Sequence, residues 1–301
     1  MEKTVRDTIK ELTRGHLESG SRCFGQCLTA VGWVGGTLPE MYEEDGMVEL
    51  SMADVAASGF LTGLALAGER PIYVVRYQGF QWFNASIITN YAMKSKEIWK
   101  RPCPMLIRSI AMEGGIGPVA GSSHHSIYQR MPGVKVASPM TPGEYREVYE
   151  RFMEEDEVYY VSEHRKSYDN TQELADTIHE EADITLFPIS ITRFAAEEAR
   201  QKLEEQGLKV NVIHQVWIKP FIFHPEWATA LNNSRFGGIV LDDDYEEGVA
   251  SSIAHRMIMG STSKVATMGL PHRTAGFHPR VDNLPPNADQ IIDRVKEICN
   301  V

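Results

Sequence analysis

Between residues 72 and 298, short apolar runs of strand type alternate with segments of helical periodicity, and no other feature of the chain limits its fold as strongly. Apolar runs at 72–75, 104–110, 134–138 and 158–162 are separated by a helix near residues 85–94 and another over 142–152, for which Thr141 is the expected cap. Strands that alternate with helices form a parallel sheet covered on both faces. A polar stretch over 168–183 then reads as a linker. Beyond it a second unit repeats the logic, with strands at 184–191, 210–217, 238–241 and 264–268 and helices at 195–206, from about Glu247, and at 288–298. The expected fold class is therefore α/β, with a first domain over 1–170, a linker over 171–182 and a smaller domain over 183–301. Upstream, 4–17 has helical spacing and 22–37 reads as a buried strand followed by a loop. The run from Ser51 to Gly68 is apolar all round and rich in small residues, which predicts a helix packed closely on several sides.

The chain has 301 residues and a net charge of -11, with no sustained Lys/Arg cluster. Nucleic acids and anionic membranes are bound through dense basic patches, so neither is an expected partner; proteins and small molecules are. No apolar run approaches the roughly 20 residues that span a bilayer, and the charged start lacks a signal-peptide core, so a cytoplasmic location is expected. Cys23 and Cys27 lack the usual metal spacing. Asp243, Asp244, Glu246 and Glu247 border a loop and are assigned to solvent rather than to a cation, so no metal ligand is proposed in this chain.

One acidic residue stands out. Asp54 opens the most apolar helix of the chain with no basic residue within a turn, and an unpartnered buried carboxylate is costly. Either it caps the helix, with Ser51 as its competitor, or it faces a ligand with a hydrogen-bond donor or basic nitrogen. Further on, a Gly-rich stretch from Glu113 to Gly121 leads to Ser122-Ser123-His124-His125-Ser126 and then to Pro132-Gly133.

The stretch from Asp54 to Ile72, with Gly59, Gly63, Gly68 and Arg70-Pro71, resembles the pyrimidine-binding domain of transketolases and of the β subunit of the first component of 2-oxo acid dehydrogenases. The second domain, with Trp217-Ile218-Lys219-Pro220 and Leu241-Asp242-Asp243, is similar to the family's C-terminal domain. The resemblance implies that Asp54, in place of the usual Glu, bonds a nitrogen of the aminopyrimidine ring of thiamine diphosphate. It places Met52 and Phe80 against the cofactor, with Trp82 and Phe83 close enough to compete with Phe80. His125 matches the active-site histidine, proposed to bind substrate or shuttle a proton, and His124 is grouped with it. Arg76 lies where relatives are mostly apolar or small, and either clamps an anionic substrate group or pairs with a partner chain. Glu163 to Tyr168 resembles the Glu-x-x-x-Leu-Tyr that ends the domain in dehydrogenase β subunits.

A complete enzyme of this family also needs a Gly-Asp-Gly motif followed by Asn to hold Mg2+ and the diphosphate, and the chain has none. The implied partner is an α-type subunit that carries this motif, in a heterotetramer of two α and two β chains. The implied activity is decarboxylation of a 2-oxo acid with acyl transfer. The alternatives are the C-terminal half of a split transketolase, favoured by the compact segment from His125 to Pro132, and a non-catalytic paralogue, suggested by the shorter acid at position 54.

Overall fold

A computed structural model describes residues 2–113, 117, 119 and 121–301. Gly114, Gly115, Ile116, Pro118 and Ala120 of the Gly-rich stretch lie outside the described residues. The chain divides into two compact units, the first running to Glu173 and the second holding Leu174–Val301.

The first unit contains β1 (Cys23–Gly25), β2 (Met47–Glu49), β3 (Ile72–Val75), β4 (Met105–Ala111), β5 (Val134–Ala137) and β6 (Val158–His164). They lie side by side in the order β2-β1-β3-β4-β6-β5, and every neighbouring pair is parallel. Strands β3, β4 and β6 are buried along their whole length, as their near-continuous apolar character demands. The helix Val5–Glu18 starts at a capping box on Thr4, and the helix Pro142–Glu154 at one on Thr141 and Glu144, so two boundaries follow directly from local chemistry. From β1 the chain passes to β2 on one side, and β3 returns on the other side and leads to β4. The carboxyl ends of β1 and β3 thus flank a topological switch point, where open parallel sheets leave a crevice.

Two expectations for this unit need correction. The helix Asp54–Leu66 buries Ala57, Ser58, Leu61, Thr62 and Ala65, but Val55, Phe60 and Leu66 remain exposed. Only one face is covered within the single chain, because its apolar residues run all the way round. After β1, residues Val31–Gly35 adopt left-handed backbone angles with φ between 51° and 65°. Such a run costs about 1–2 kcal/mol for each non-glycine residue, and no local sequence pattern signals it.

The second unit contains β7 (Ile184–Pro188), β8 (Val210–Val212), β9 (Trp217–Lys219), β10 (Gly238–Tyr245) and β11 (Val265–Leu270). Four of them form a parallel sheet in the order β11-β10-β7-β8. Its core lies between the strands and the helices Thr192–Glu204 and Ala288–Cys299, around Leu186, Leu203, Val212, Ile239 and Ile291. The expected strand over 210–217 is split, because the chain turns away after Val212 and the His214 amide donates to Asp176 Oδ1 at 2.8 Å. The helix Pro225–Asn232 was not anticipated. Strand β10 runs four residues further than expected and carries Asp243 and Asp244 inside, where Ser190 Oγ donates to Asp243 Oδ2 at 2.8 Å. These two acids are therefore buried rather than solvated. Among the described residues, no helix is long and apolar enough to cross a membrane.

Candidate active site

A cleft of about 280 Å³ opens at the switch point between β1 and β3. Gln26 and Cys27 line it from the end of β1, Arg76 and Tyr77 from the end of β3, and Met52, Asp54 and Phe80 from the segments that follow. Four residues singled out by sequence, Asp54, Met52, Phe80 and Arg76, are thus brought together.

Asp54 is the first residue of its helix. The cap position belongs to Ala53, which has no side-chain hydrogen bond to offer, and Ser51 does not cap either. The capping alternative is therefore excluded by position. Among the described residues the Asp54 carboxylate has no hydrogen-bond partner, although it sits half-buried at a helix start whose partial positive charge favours it. Close by, burial pushes the Tyr73 hydroxyl up to about 12, and the Asp54 charge adds to the shift. On the same cleft Gln26 Nε2 is a buried amide donor with no partner among the described residues. An acceptor without a donor, a donor without an acceptor and the apolar side chains of Val75, Met52 and Phe80 fit a flat heteroaromatic ring that has both kinds of polar edge.

Phe80 ends the short turn Gln78–Phe80 and packs against Tyr77 with ring centroids 5.8 Å apart. Trp82 and Phe83, its competitors in the sequence, point outward and are more than half exposed. The turn is fixed at Gly79, where a Cβ would come within 2.4 Å of the Val119 carbonyl oxygen, so only glycine permits this approach.

His124 and His125 are not among the residues lining the cleft. They are tied to it through the next residue of the same turn. The buried Gln78 accepts the His124 backbone N–H at 2.6 Å through Oε1, which turns its Nε2 toward Ser162 Oγ at 2.8 Å and the Ser109 carbonyl at 3.2 Å. Gln81 holds the same segment by donating to the His124 carbonyl at 2.9 Å. Ser162 Oγ lies 3.1 Å from His125 Nδ1, a contact between two buried groups that fixes the orientation of the ring, and the tautomer decides which of the two donates. His124 is half-buried, with its ring against Trp82. The prediction is that Ser162→Ala, which removes this contact, shifts the His125 ring signals in long-range 15N–1H spectra of the full chain. Unchanged His125 signals in the folded variant would show that Ser162 does not position the ring.

The segment that resembles the end of a dehydrogenase domain has a structural role. Glu163 is fully buried and receives Arg108 Nε at 2.6 Å, Arg108 Nη2 at 3.0 Å and the Tyr168 hydroxyl at 2.9 Å. Burial alone would lower the Arg108 guanidinium, yet Glu163 beside it holds it well above its ordinary value. Gln26, Gln78 and Ser162 were missed by sequence reasoning. Each is an ordinary polar residue whose importance depends on strand order.

Comparison with known proteins bears on this geometry. Residues 29–171 match the transketolase pyrimidine-binding domain. The chain is 25% identical to the β subunit of 2-oxoisovalerate dehydrogenase from Bacillus subtilis (strain 168), over 82% of either chain. It is 22% identical to the β subunit of the pyruvate dehydrogenase E1 component of Staphylococcus epidermidis, over 86% of this chain and 85% of that one. Among solved structures, a split-gene transketolase described as an inactive β4 tetramer superposes with a TM-score of 0.75 at 14% identity, covering 100% of this chain and 99% of that one.

Proposed function

We propose, from the match of residues 29–171 to the transketolase pyrimidine-binding domain, that the chain is the β-type subunit of a heteromeric thiamine-diphosphate enzyme that decarboxylates a 2-oxo acid and passes on the acyl group. The observation that carries this reading is the Asp54 carboxylate, without a hydrogen-bond partner among the described residues, in an aromatic-walled cleft. In it, residues 1–170 form the pyrimidine-binding domain, 171–182 the linker and 183–301 the C-terminal domain. When bound, the cofactor supplies a carbon nucleophile and an electron sink for bond cleavage next to a carbonyl.

The residues of this chain have narrower tasks. Asp54 bonds a pyrimidine nitrogen, and Phe80 and Met52 hold the ring in place. His125, oriented by Ser162, binds the substrate or shuttles a proton, with His124 beside it. Mg2+ and the diphosphate are held by an α-type partner. The exposed Val55, Phe60 and Leu66 of the helix Asp54–Leu66, together with Trp82, Phe83, Tyr91 and Trp99 further on, support assembly, because large apolar side chains left in water normally mark an interface. A second reading, the C-terminal half of a split transketolase transferring a two-carbon ketol unit, is favoured by the compact segment from His125 to Pro132.

The isolated chain is expected to bind thiamine diphosphate negligibly by calorimetry with Mg2+ present, and to bind it once the α-type chain is co-expressed. Tight, Mg2+-dependent binding by the chain alone would refute the divided site.

A further inference from the structure

Phe80 stands between two fully buried glutamines, and both of them hold the peptide of His124. Gln78 Oε1 accepts the His124 N–H at 2.6 Å and Gln81 Nε2 donates to the His124 carbonyl at 2.9 Å, so one residue is gripped at both ends of its backbone. The other half of each amide is also in use. Gln78 Nε2 donates to the Ser109 carbonyl at 3.2 Å and at 2.8 Å to Ser162 Oγ, the atom that contacts His125 Nδ1. Gln81 Oε1 accepts the Tyr160 hydroxyl, and the Tyr160 ring packs on Tyr128 with centroids 4.3 Å apart. Three residues on, Asn84 Nδ2 donates to the Tyr73 hydroxyl at 3.1 Å, which ties the helix Gln81–Ile87 to the strand wall of the cleft.

We infer that Gln78 and Gln81 are positioning residues that set the His124–His125 segment before any ligand arrives, so that one buried strut carries both the aromatic wall at Phe80 and the histidines. The inference rests on the proposed function in one respect, that the histidines face the substrate. A carboxamide presents an acceptor and a donor at one end, and each of these two uses both; a carboxylate only accepts, and an apolar side chain of similar length does neither. Buried polar groups left unbonded are costly, so the arrangement that satisfies both amides is strongly favoured over one in which the His124 peptide swings away. The turn at Phe80 has anchors of its own. The Gly79 amide donates to the Val119 carbonyl at 3.2 Å, and the Phe80 ring packs on Tyr77. Loss of either glutamine therefore releases the histidine segment rather than the aromatic wall.

Amide hydrogen exchange and imidazole 15N–1H spectra of the full chain test this without partner, cofactor or turnover, so the inference can fail while the proposed function stands, and the reverse. Circular dichroism and melting temperature serve as controls for folding. The His124 amide is expected to be protected in wild type. Gln78→Met and Gln81→Met are expected to speed its exchange about tenfold or more. They should also shift the His124 and His125 ring signals while His179 and His214 of the second unit keep theirs. Gln78→Glu and Gln81→Glu give the specific signature, because a protonated carboxyl still donates to Ser162 or to the His124 carbonyl and an ionised one cannot. In these variants the His124 and His125 signals should follow a titration step that wild type lacks. Fast exchange of the His124 amide in wild type, or exchange and ring signals in the folded Met variants equal to wild type, would overturn the inference. If a Met variant does not fold, the Glu variant at that position decides, and absence of the added titration step then removes the positioning role.

Discussion

Asp54→Ala is expected to fold and assemble normally and to lose about a hundredfold or more in turnover, because a misplacement of about 1 Å at the reacting geometry already costs that much and this change removes the contact altogether. Normal folding is expected because the Asp54 side chain neither caps its helix nor bonds any other described residue. Asp54→Asn is the sharper variant. It keeps size and hydrogen-bonding capacity but loses the charge that stabilises a proton on the ring nitrogen, so its turnover should fall nearly as far. A residue serving only as a helix cap would behave differently, since Asn would replace it without loss and Ala would cost about 1 kcal/mol of stability. Asp54→Glu restores about 1.5 Å of reach, the length of one carbon–carbon bond, and is expected to keep or raise activity. Steady-state rates and melting temperatures of the assembled variants separate these outcomes. Turnover in Asp54→Ala equal to wild type would remove the catalytic role and leave a chain that only assembles.

The second large effect concerns stability. Glu163→Gln leaves the guanidinium of Arg108 fully buried without its counter-charge, and breaking a buried pair from one side costs about 3–5 kcal/mol. The Tyr168 hydroxyl, which donates to the same carboxylate, should contribute about 1 kcal/mol when removed as Tyr168→Phe. Removing both charges in the double variant Arg108→Met with Glu163→Leu should recover most of the loss, because desolvation of the two ions is then no longer required. Urea unfolding of the four proteins tests the set. A Glu163→Gln variant within about 1 kcal/mol of wild type would show that the pair does not secure this domain.

Local chemistry was enough to read most elements. Thr4 and Thr141 each start a helix because their side chains accept an amide of the first turn, and β3 spans the residues its apolar run predicts. The helix Asp54–Leu66 was recognisable for the same reason, but which of its faces is covered was not. A helix that is apolar all round carries no periodic signal to separate core from interface. The same limit applies to β10, where Asp243 and Asp244 read as loop residues and were found buried, since a carboxylate can enter a core once a donor such as Ser190 is brought to it.

The residue types of the candidate site were set by sequence alone: an acid at the start of an apolar helix, an aromatic segment after a strand, a tandem histidine after glycines. Tertiary structure decided which of them meet. Asp54, Met52, Arg76 and Phe80 converge with Gln26 because β1 and β3 are neighbours whose connections leave on opposite sides, and strand order is a property of the folded sheet. It also put Phe80 rather than Trp82 or Phe83 on the wall of the cleft, through the close approach that Gly79 allows, and turned Glu163 toward Arg108. Capping and periodicity act within a few residues and can be read along the chain, whereas pairing of charges and convergence on a crevice depend on distances that only packing sets.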